Sequence, residues 1–186
     1  MGSAETNPQH LLPELETPRL LLRQVRESDT EDVWEIYSDR KALEYFAREP
    51  LKDMEEARQM VAENLCFGED PAAKIWAICH KDGDRMIGTF TLFHISQSNR
   101  RAEVGFILKR SSWGQGFASE ALGRVIDYCF EDLDMVRLEA DADPENHASL
   151  KLLERHGFER EGYFRKRWFM RDEWFDSVML GLLKEG

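Results

Sequence analysis

The sequence predicts an α/β fold in one domain. Two observations point there: a central series of strand-length apolar runs separated by tight turns, and directly after it a long stretch with helical apolar spacing. A third bounds the domain count. The 186 residues contain no repeat, low-complexity block or interdomain linker, and domains commonly run to roughly 100–200 residues.

Residues 1–15 read as a flexible N-terminal segment, and residues 16–186 as the folded domain. After Pro18, residues 19–25 (Arg-Leu-Leu-Leu-Arg-Gln-Val) have the length and content of a strand. Ser28 followed by Glu31 has the form of a capping box, and Val33, Trp34, Ile36 and Tyr37 then give an apolar stripe, so a helix is expected over 29–39. Residues 43–51 read as a loop. A second helix is expected over 54–67, ending near Gly68, with Glu55, Glu56, Arg58 and Glu63 on its charged face.

Residues 75–79 and 86–95 read as two strands joined at Lys81-Asp82-Gly83-Asp84, where Asp-Gly supplies the positive φ of a tight reversal. Ser98-Asn99-Arg100 reverses the chain again, and a strand over 101–109 completes an antiparallel meander. From Ala118 the spacing changes. Ala118, Ala121, Leu122, Val125, Ile126, Cys129 and Phe130 share one helical face. A strand over 135–142, a short helix over 146–156 stopped by Gly157 with Phe158 as its apolar anchor, and a closing pair of strands ending near residue 183 follow. Trp168, Phe169, Trp174 and Phe175 in that pair suit core or strand pairing better than a substrate cage.

Composition removes several classes of function. The chain is 42% hydrophobic and 33% charged, and no apolar run approaches the roughly 18 residues of a membrane span. The first dozen residues lack the cationic start and apolar stretch of a secretory signal, so a cytoplasmic protein off the membrane is expected. Cys66, Cys79 and Cys129 are odd in number, widely spaced and set in apolar patterns. They read as reduced core thiols, with no metal site. The formal net charge of −11 argues against nucleic acid and favours encounter with a cation.

The segment that calls for chemistry is Ser111-Ser112-Trp113-Gly114-Gln115-Gly116-Phe117-Ala118. Gly114 and Gly116 let the backbone approach a ligand, and the helix that follows aims free N–H groups and the positive end of its dipole at the same spot. Such a place suits a pyrophosphate. A dinucleotide fingerprint would need glycine at 119, which is serine, and a Walker loop would need Gly-Lys-Ser/Thr, which is absent. A bare strand-to-helix turn is the competing reading, and the rest of the chain has to decide.

That context is an ordered set of motifs: Glu16-Thr17-Pro18-Arg19-Leu20-Leu21-Leu22-Arg23, Ile87-Gly88, Ala102-Glu103-Val104-Gly105-Phe106-Ile107-Leu108, Trp113 to Leu122, Asn146-His147-Ala148-Ser149 and Leu153 to Gly162. Together they resemble the GCN5-related N-acetyltransferases (GNAT), in the branch of the RimJ/RimL ribosomal-protein N-terminal acetyltransferases, over nearly the whole chain. The resemblance implies a mixed, mostly antiparallel central sheet, splayed at the cofactor site and flanked by helices on both faces. It also implies acetyl-CoA as cosubstrate. Phe106, Ile107 and Leu108 would then offer backbone groups to pantetheine. Ser111, Gly114, Gln115, Gly116, Phe117 and Ala118 would hold the phosphates, and Asn146 and Ser149 would reach the pantetheine arm. Relatives often carry glutamine or arginine three positions before the first glycine. Here that position is Ser111, so phosphate contact is expected to lean on backbone amides, with the neighbouring Arg110 as a helper.

Transfer from a thioester needs a neutral amine, stabilisation of an oxyanion and a proton for the thiolate. None of the cysteines lies near the loop, so direct attack in a ternary complex is expected. By resemblance Glu103 is the base, acting through water. Strand alternation sets it on one face with Gly105 and Ile107 without telling which face meets the cleft. Where relatives place an acid tyrosine this chain has Leu153, so Ser149 is the candidate acid and Tyr163 the reserve. On local grounds Asn146 is equally a helix N-cap and Ser149 an inert surface hydroxyl.

The acceptor is expected to be an amine, a protein N-terminus or a small cationic molecule. An α-amine titrates near 8 and a lysine or polyamine amine near 10.4, so at neutral pH the first costs under about 1.4 kcal/mol to deprotonate and the second over about 4. That favours a protein N-terminus, with recognition in the loops near 43–51 and 165–173. Two other classes stay open: an acyl-CoA-binding module without turnover, and an interaction protein without a cofactor site. The C-terminal edge strands admit a homodimer.

Overall fold

The computed structural model describes residues 12–63 and 73–185. Strand β1 is Leu15–Glu16 and β2 is Leu20–Arg23, inside the expected 19–25. Leu15 pairs with Leu22 and is 2% exposed, and the Pro13 carbonyl accepts from the Trp76 indole at 2.8 Å. Order therefore reaches back into the stretch read as flexible.

Helix α1 is Thr30–Tyr37, shorter at both ends than expected. The Ser28–Glu31 capping box does not form. Asp29 takes over the turn: its carboxylate accepts from the Arg26 N–H at 2.7 Å and forms a two-pronged ion pair with the Arg23 guanidinium at 2.8 and 2.9 Å. Both side chains are buried, and Arg23 also meets Asp84 at 2.6 Å, so the pair is hydrogen-bonded on several sides as a buried charge requires. Helix α2 is Met54–Ala62, capped by Asp53 accepting from the Glu56 N–H at 2.9 Å. The continuation expected to 67, and Cys66 with it, lies outside the described residues.

Strands β3 (Lys74–His80), β4 (Met86–Ser96) and β5 (Arg101–Leu108) form the expected meander. Its first turn is made by Gly83 and Asp84 at φ 87° and 52°, and its second ends on Arg100 at φ 50°. Helix α3 is Phe117–Asp127 and runs on as a wider turn over Tyr128–Asp132, which keeps Cys129 in the core. Then follow β6 (Arg137–Ala142), α4 (His147–Arg155) and the hairpin β7 (Glu159–Met170) and β8 (Glu173–Leu183).

The eight strands form one open sheet in the order β1-β2-β3-β4-β5-β6-β8-β7, antiparallel throughout except for the parallel β5–β6 pair. Helices cover both faces. Val33, Ile36 and Tyr37 of α1 with Ala57, Met60 and Val61 of α2 pack on Ala77, Cys79, Met86 and Ile107. Ala121, Leu122 and Val125 of α3 with Leu150 and Leu153 of α4 pack on the other face against Trp76, Ile78, Phe90, Val104, Leu138 and Leu180. Since Ala102 and Val104 lie under α3, alternation sends Glu103 to the α1/α2 side.

In the closing hairpin Trp168 faces Phe175 and Phe169 faces Trp174, with the latter rings 5.0 Å apart. The expected strand pairing forms, yet Trp168, Phe169 and Trp174 stay exposed rather than entering the core. Among the described residues no helix is long and apolar enough to cross a membrane.

Candidate functional site

The parallel strands pair over three couples only: Arg101 with Arg137, Ala102 with Leu138, and Glu103 with Glu139. Beyond these, β5 continues to Leu108 against β4 alone and β6 to Ala142 against β8 alone. The sheet thus opens as a wedge with Glu103 at its apex. Gly88 holds β5 in place, because a side chain there would meet the Ile107 carbonyl oxygen at 2.3 Å.

From Leu108 the chain passes through a tight turn at Arg110–Ser112 into the glycine loop. Gly114 and Gly116 have φ of 73° and 82°, the left-handed region that disfavours any other residue. Helix α3 begins directly after Gly116, whose carbonyl accepts from the Glu120 N–H at 3.0 Å. The N–H groups of residues 114–119 have no hydrogen-bond partner among the described residues, which leaves a row of donors at a helix N-terminus.

Gly114 and residues 116–119 of this row border a cavity of about 1000 Å³. It brings together Phe106, Ile107, Leu108, Gly114, Gly116, Phe117 and Ala118 with Asn146 and Ser149 across the wedge, nine residues expected to meet the cofactor. Asn146 is a helix cap and a cavity residue at once. Its Oδ1 accepts from the Ser149 N–H at 3.1 Å, and its Nδ2, without a partner among the described residues, can donate to a ligand. Ser149 stands in the first turn of α4 and lines the cavity. Leu153, where relatives carry tyrosine, is buried in the core.

Four expected residues lie elsewhere. Gln115 turns its side chain back, Nε2 donating to the Ser111 carbonyl at 2.8 Å, and its own carbonyl accepts from Arg19 Nη1 at 3.0 Å. Ser111 lines a separate recess with Glu35, Asp39, Lys109 and Arg110, and the Arg110 guanidinium is bound to Asp39 at 2.8 Å. Arg110 is therefore no substitute cation for the phosphates. Tyr163 is 56% exposed on β7 outside the cavity, its hydroxyl donating to Asp176 at 2.7 Å, and that bond pushes its pKa up. Glu103 sits at the wedge apex, its side chain 18% exposed and hydrogen-bonded to His94 Nδ1 at 3.0 Å.

Sequence reasoning missed several lining residues. Trp113 borders the cavity with its indole donating to the Leu108 carbonyl at 2.9 Å. Ser119, noted only as a missing glycine, lines it and bonds His156 Nε2 at 2.7 Å. Lys151 and Arg155 add cations from one face of α4, and their i, i+4 spacing was the available signal.

The roof is 41–46, between α1 and α2. Burial, with Glu44 next, pushes the Tyr45 hydroxyl up, and Asp143 and Glu145 act in the same direction. The two loops expected to recognise the acceptor meet here. Arg171, at the β7–β8 turn, donates to the Leu43 and Glu44 carbonyls at 2.9 and 3.4 Å. Cys79 and Cys129 are unbridged and buried, and burial pushes each thiol up to about 12, so neither is a nucleophile. Among the described residues no cluster of three or more His, Cys, Asp or Glu could hold a metal.

A family model described as an acetyltransferase (GNAT) domain matches residues 19–159. An uncharacterised N-acetyltransferase, p20, of Bacillus licheniformis is 37% identical over 170 residues, 91% of this chain and 96% of the relative. The ribosomal-protein-serine acetyltransferase of Escherichia coli is 28% identical over 70% of this chain and 71% of its own length. The spermidine N(1)-acetyltransferase of Vibrio cholerae is 24% identical over 89% and 94%. The crystal structure of a GNAT-family acetyltransferase from Bacillus anthracis matches with a TM-score of 0.81 at 27% identity, covering 92% of this chain and 98% of that one. Donor amides at a helix start, a split sheet and this kinship agree: the chain belongs to the GNAT family of N-acetyltransferases, enzymes that draw their acetyl group from acetyl-CoA.

Proposed function

We propose that the protein transfers the acetyl group of acetyl-CoA to a protein N-terminal α-amine by direct attack in a ternary complex. The observation that carries this is the wedge: unpartnered N–H groups at its mouth, Glu103 at its apex, and one continuous cavity from the glycine loop to the roof over 41–46. The diphosphate rests on the amides of residues 114–119. The pantetheine arm follows Phe106 to Leu108, where β5 has no partner on that side, and meets Asn146 Nδ2 across the gap.

Glu103, through a water, takes the proton of the ammonium. The freed amine nitrogen bonds to the thioester carbonyl carbon, and the tetrahedral oxyanion collapses with cleavage of the carbon–sulfur bond. Ser149 donates its proton to the leaving thiolate and regains one from the nitrogen, which sheds its second proton as the amide forms, while Glu103 passes the first to solvent. Tyr163 has no part, since Asp176 holds its hydroxyl away from the cavity. The lower deprotonation cost of an α-amine supports a polypeptide acceptor, as does the likeness to a ribosomal-protein-serine acetyltransferase.

A second reading, a polyamine, is favoured by Glu44 and Glu145 on the cavity and Asp143 nearby, and by the likeness to a spermidine acetyltransferase. Thiol release and mass spectrometry with acetyl-CoA and N-terminal peptides, spermidine and free amino acids separate the two. Turnover of peptides with higher kcat/KM supports the first; turnover of spermidine alone overturns it. Glu103→Gln is expected to lower kcat by about 10²-fold at unchanged CoA affinity, and full kcat in that variant would remove Glu103 from the mechanism.

A further inference from the structure

The glycine loop has a charge problem. Its family position for a side-chain contact is Ser111, Arg110 is bound to Asp39, and Glu120 puts a carboxylate in the first turn of α3, where a negative charge works against an anion at the helix N-terminus. One residue from another element addresses all of this. Arg19, just before β2, directs Nε to Glu120 Oε2 at 2.7 Å and Nη1 to the Gln115 carbonyl at 3.0 Å, and its guanidinium lies over the Phe117 ring at 4.5 Å. Its main-chain N–H donates to Glu120 Oε1 at 2.8 Å, beside the Thr17 hydroxyl, which donates to the same oxygen.

We propose that Arg19 is the positioning residue of the phosphate loop, setting the affinity for the phosphates of CoA without touching them. The reasoning is geometric. A trans peptide points its C=O and the next N–H in opposite directions, so drawing the Gln115 carbonyl onto Arg19 turns the Gly116 N–H away from Arg19, toward the cavity. Arg19 does not line that cavity, although Gly116 and Phe117 do. Its second effect is electrostatic. Burial works to raise the Glu120 carboxyl, but the bonds from Thr17 and Arg19 outweigh it and hold the group below the usual carboxylate value. The carboxylate stays ionised, and the guanidinium neutralises it before it can repel the diphosphate.

The proposal rests on the diphosphate lying on this loop, and its test needs no acceptor. Calorimetry of CoA and of phosphate-free pantetheine compares the wild type with Arg19→Gln and Arg19→Lys. In Arg19→Gln the Kd for CoA is expected to rise about tenfold, as loss of a charge-assisted bond implies, with pantetheine unchanged within twofold. Arg19→Lys keeps the charge but cannot hold Glu120 and Gln115 together, so its CoA affinity falls between the two. With any acceptor that is turned over, KM for acetyl-CoA rises in Arg19→Gln while kcat stays within twofold. CoA binding equal to wild type, or an equal loss for CoA and pantetheine, overturns the proposal. Should Arg19→Gln not fold, Arg19→Lys carries the same comparison. A wild type that fails to bind CoA would instead refute the seat on the loop.

Discussion

Gly88→Ala tests whether the sheet holds the cofactor strand where the proposed site needs it. The new methyl carbon would lie 2.3 Å from the Ile107 carbonyl oxygen, 2.5 Å from Leu108 Cδ2 and 3.1 Å from Leu108 Cα. Ordinary contact begins near 3.4 Å, so β5 must retreat by about 1 Å, since the nearest obstacle is backbone and cannot rotate away. The Lys109 N–H to Ile87 carbonyl bond, 2.7 Å long, is among those such a shift would break. Overpacking costs about 1–3 kcal/mol and a lost hydrogen bond about 1 more, so destabilisation of about 2–4 kcal/mol is expected. For a chain of this size that lowers Tm by roughly 5–15 °C. Ile107 and Leu108 border the cavity, so CoA affinity should fall as well. Thermal denaturation and calorimetric titration with CoA measure both, with Gly83→Ala as control, where nothing lies within 4 Å and only the φ of +87° is costly. An unchanged Tm refutes the tight β4–β5 approach, and a lowered Tm with wild-type CoA affinity refutes its link to the cofactor.

Two further outcomes follow from the geometry. Arg171→Gly relieves a non-glycine φ of 51° while losing the bonds to Leu43 and Glu44, effects of similar size and opposite sign, so stability should move by no more than about 1 kcal/mol. The acceptor KM is expected to rise several-fold at constant CoA affinity; equal KM for the acceptor would show that the two loops do not recognise it. His156 is held below its ordinary 6.5 by burial and by Arg155, so the unfolded chain takes up a proton first as pH falls through 6.5, and native stability is lost across the window below that value. The carboxylates held low, such as Glu120 and Glu161, act only beneath their usual 4.5. Melting curves from pH 7 to 5 should therefore fall in the wild type and flatten in His156→Gln, and parallel curves would contradict the assignment.

What was legible in the sequence is what local chemistry decides. Two glycines ahead of a helix need left-handed backbone and leave amides free whatever the rest of the chain does, and the meander follows from strand period and turn residues. What was hidden depends on partners far along the chain. Glu120 and Arg19 are 101 positions apart, and nothing near either announces the other. Ser28 and Glu31 have the right spacing for a cap, but buried Arg23 demands a carboxylate, and Asp29 supplies it by reshaping the turn. Alternation grouped Glu103 with Ile107, yet only the packing of Ala102 and Val104 under α3 tells which way that group points. Tyr163 looked available because Asp176, its partner, sits across a hairpin.

The three rungs between β5 and β6 also have a mechanical side. They fasten two plates, one of five strands and one of three, helped by the apolar layer beneath α3 and α4, the Arg101–Glu139 ion pair and the bonds of Arg171 to the Leu43 and Glu44 carbonyls. A pantetheine arm threaded through the opening would serve as a brace, so the molecule stiffens when its cosubstrate is abundant and slackens when it is scarce. At a hundred times Kd the brace adds about 2.7 kcal/mol to the folded state. Cellular lifetime of the enzyme would then follow the acetyl-CoA supply, with the starved form opening along this seam and reaching proteases first.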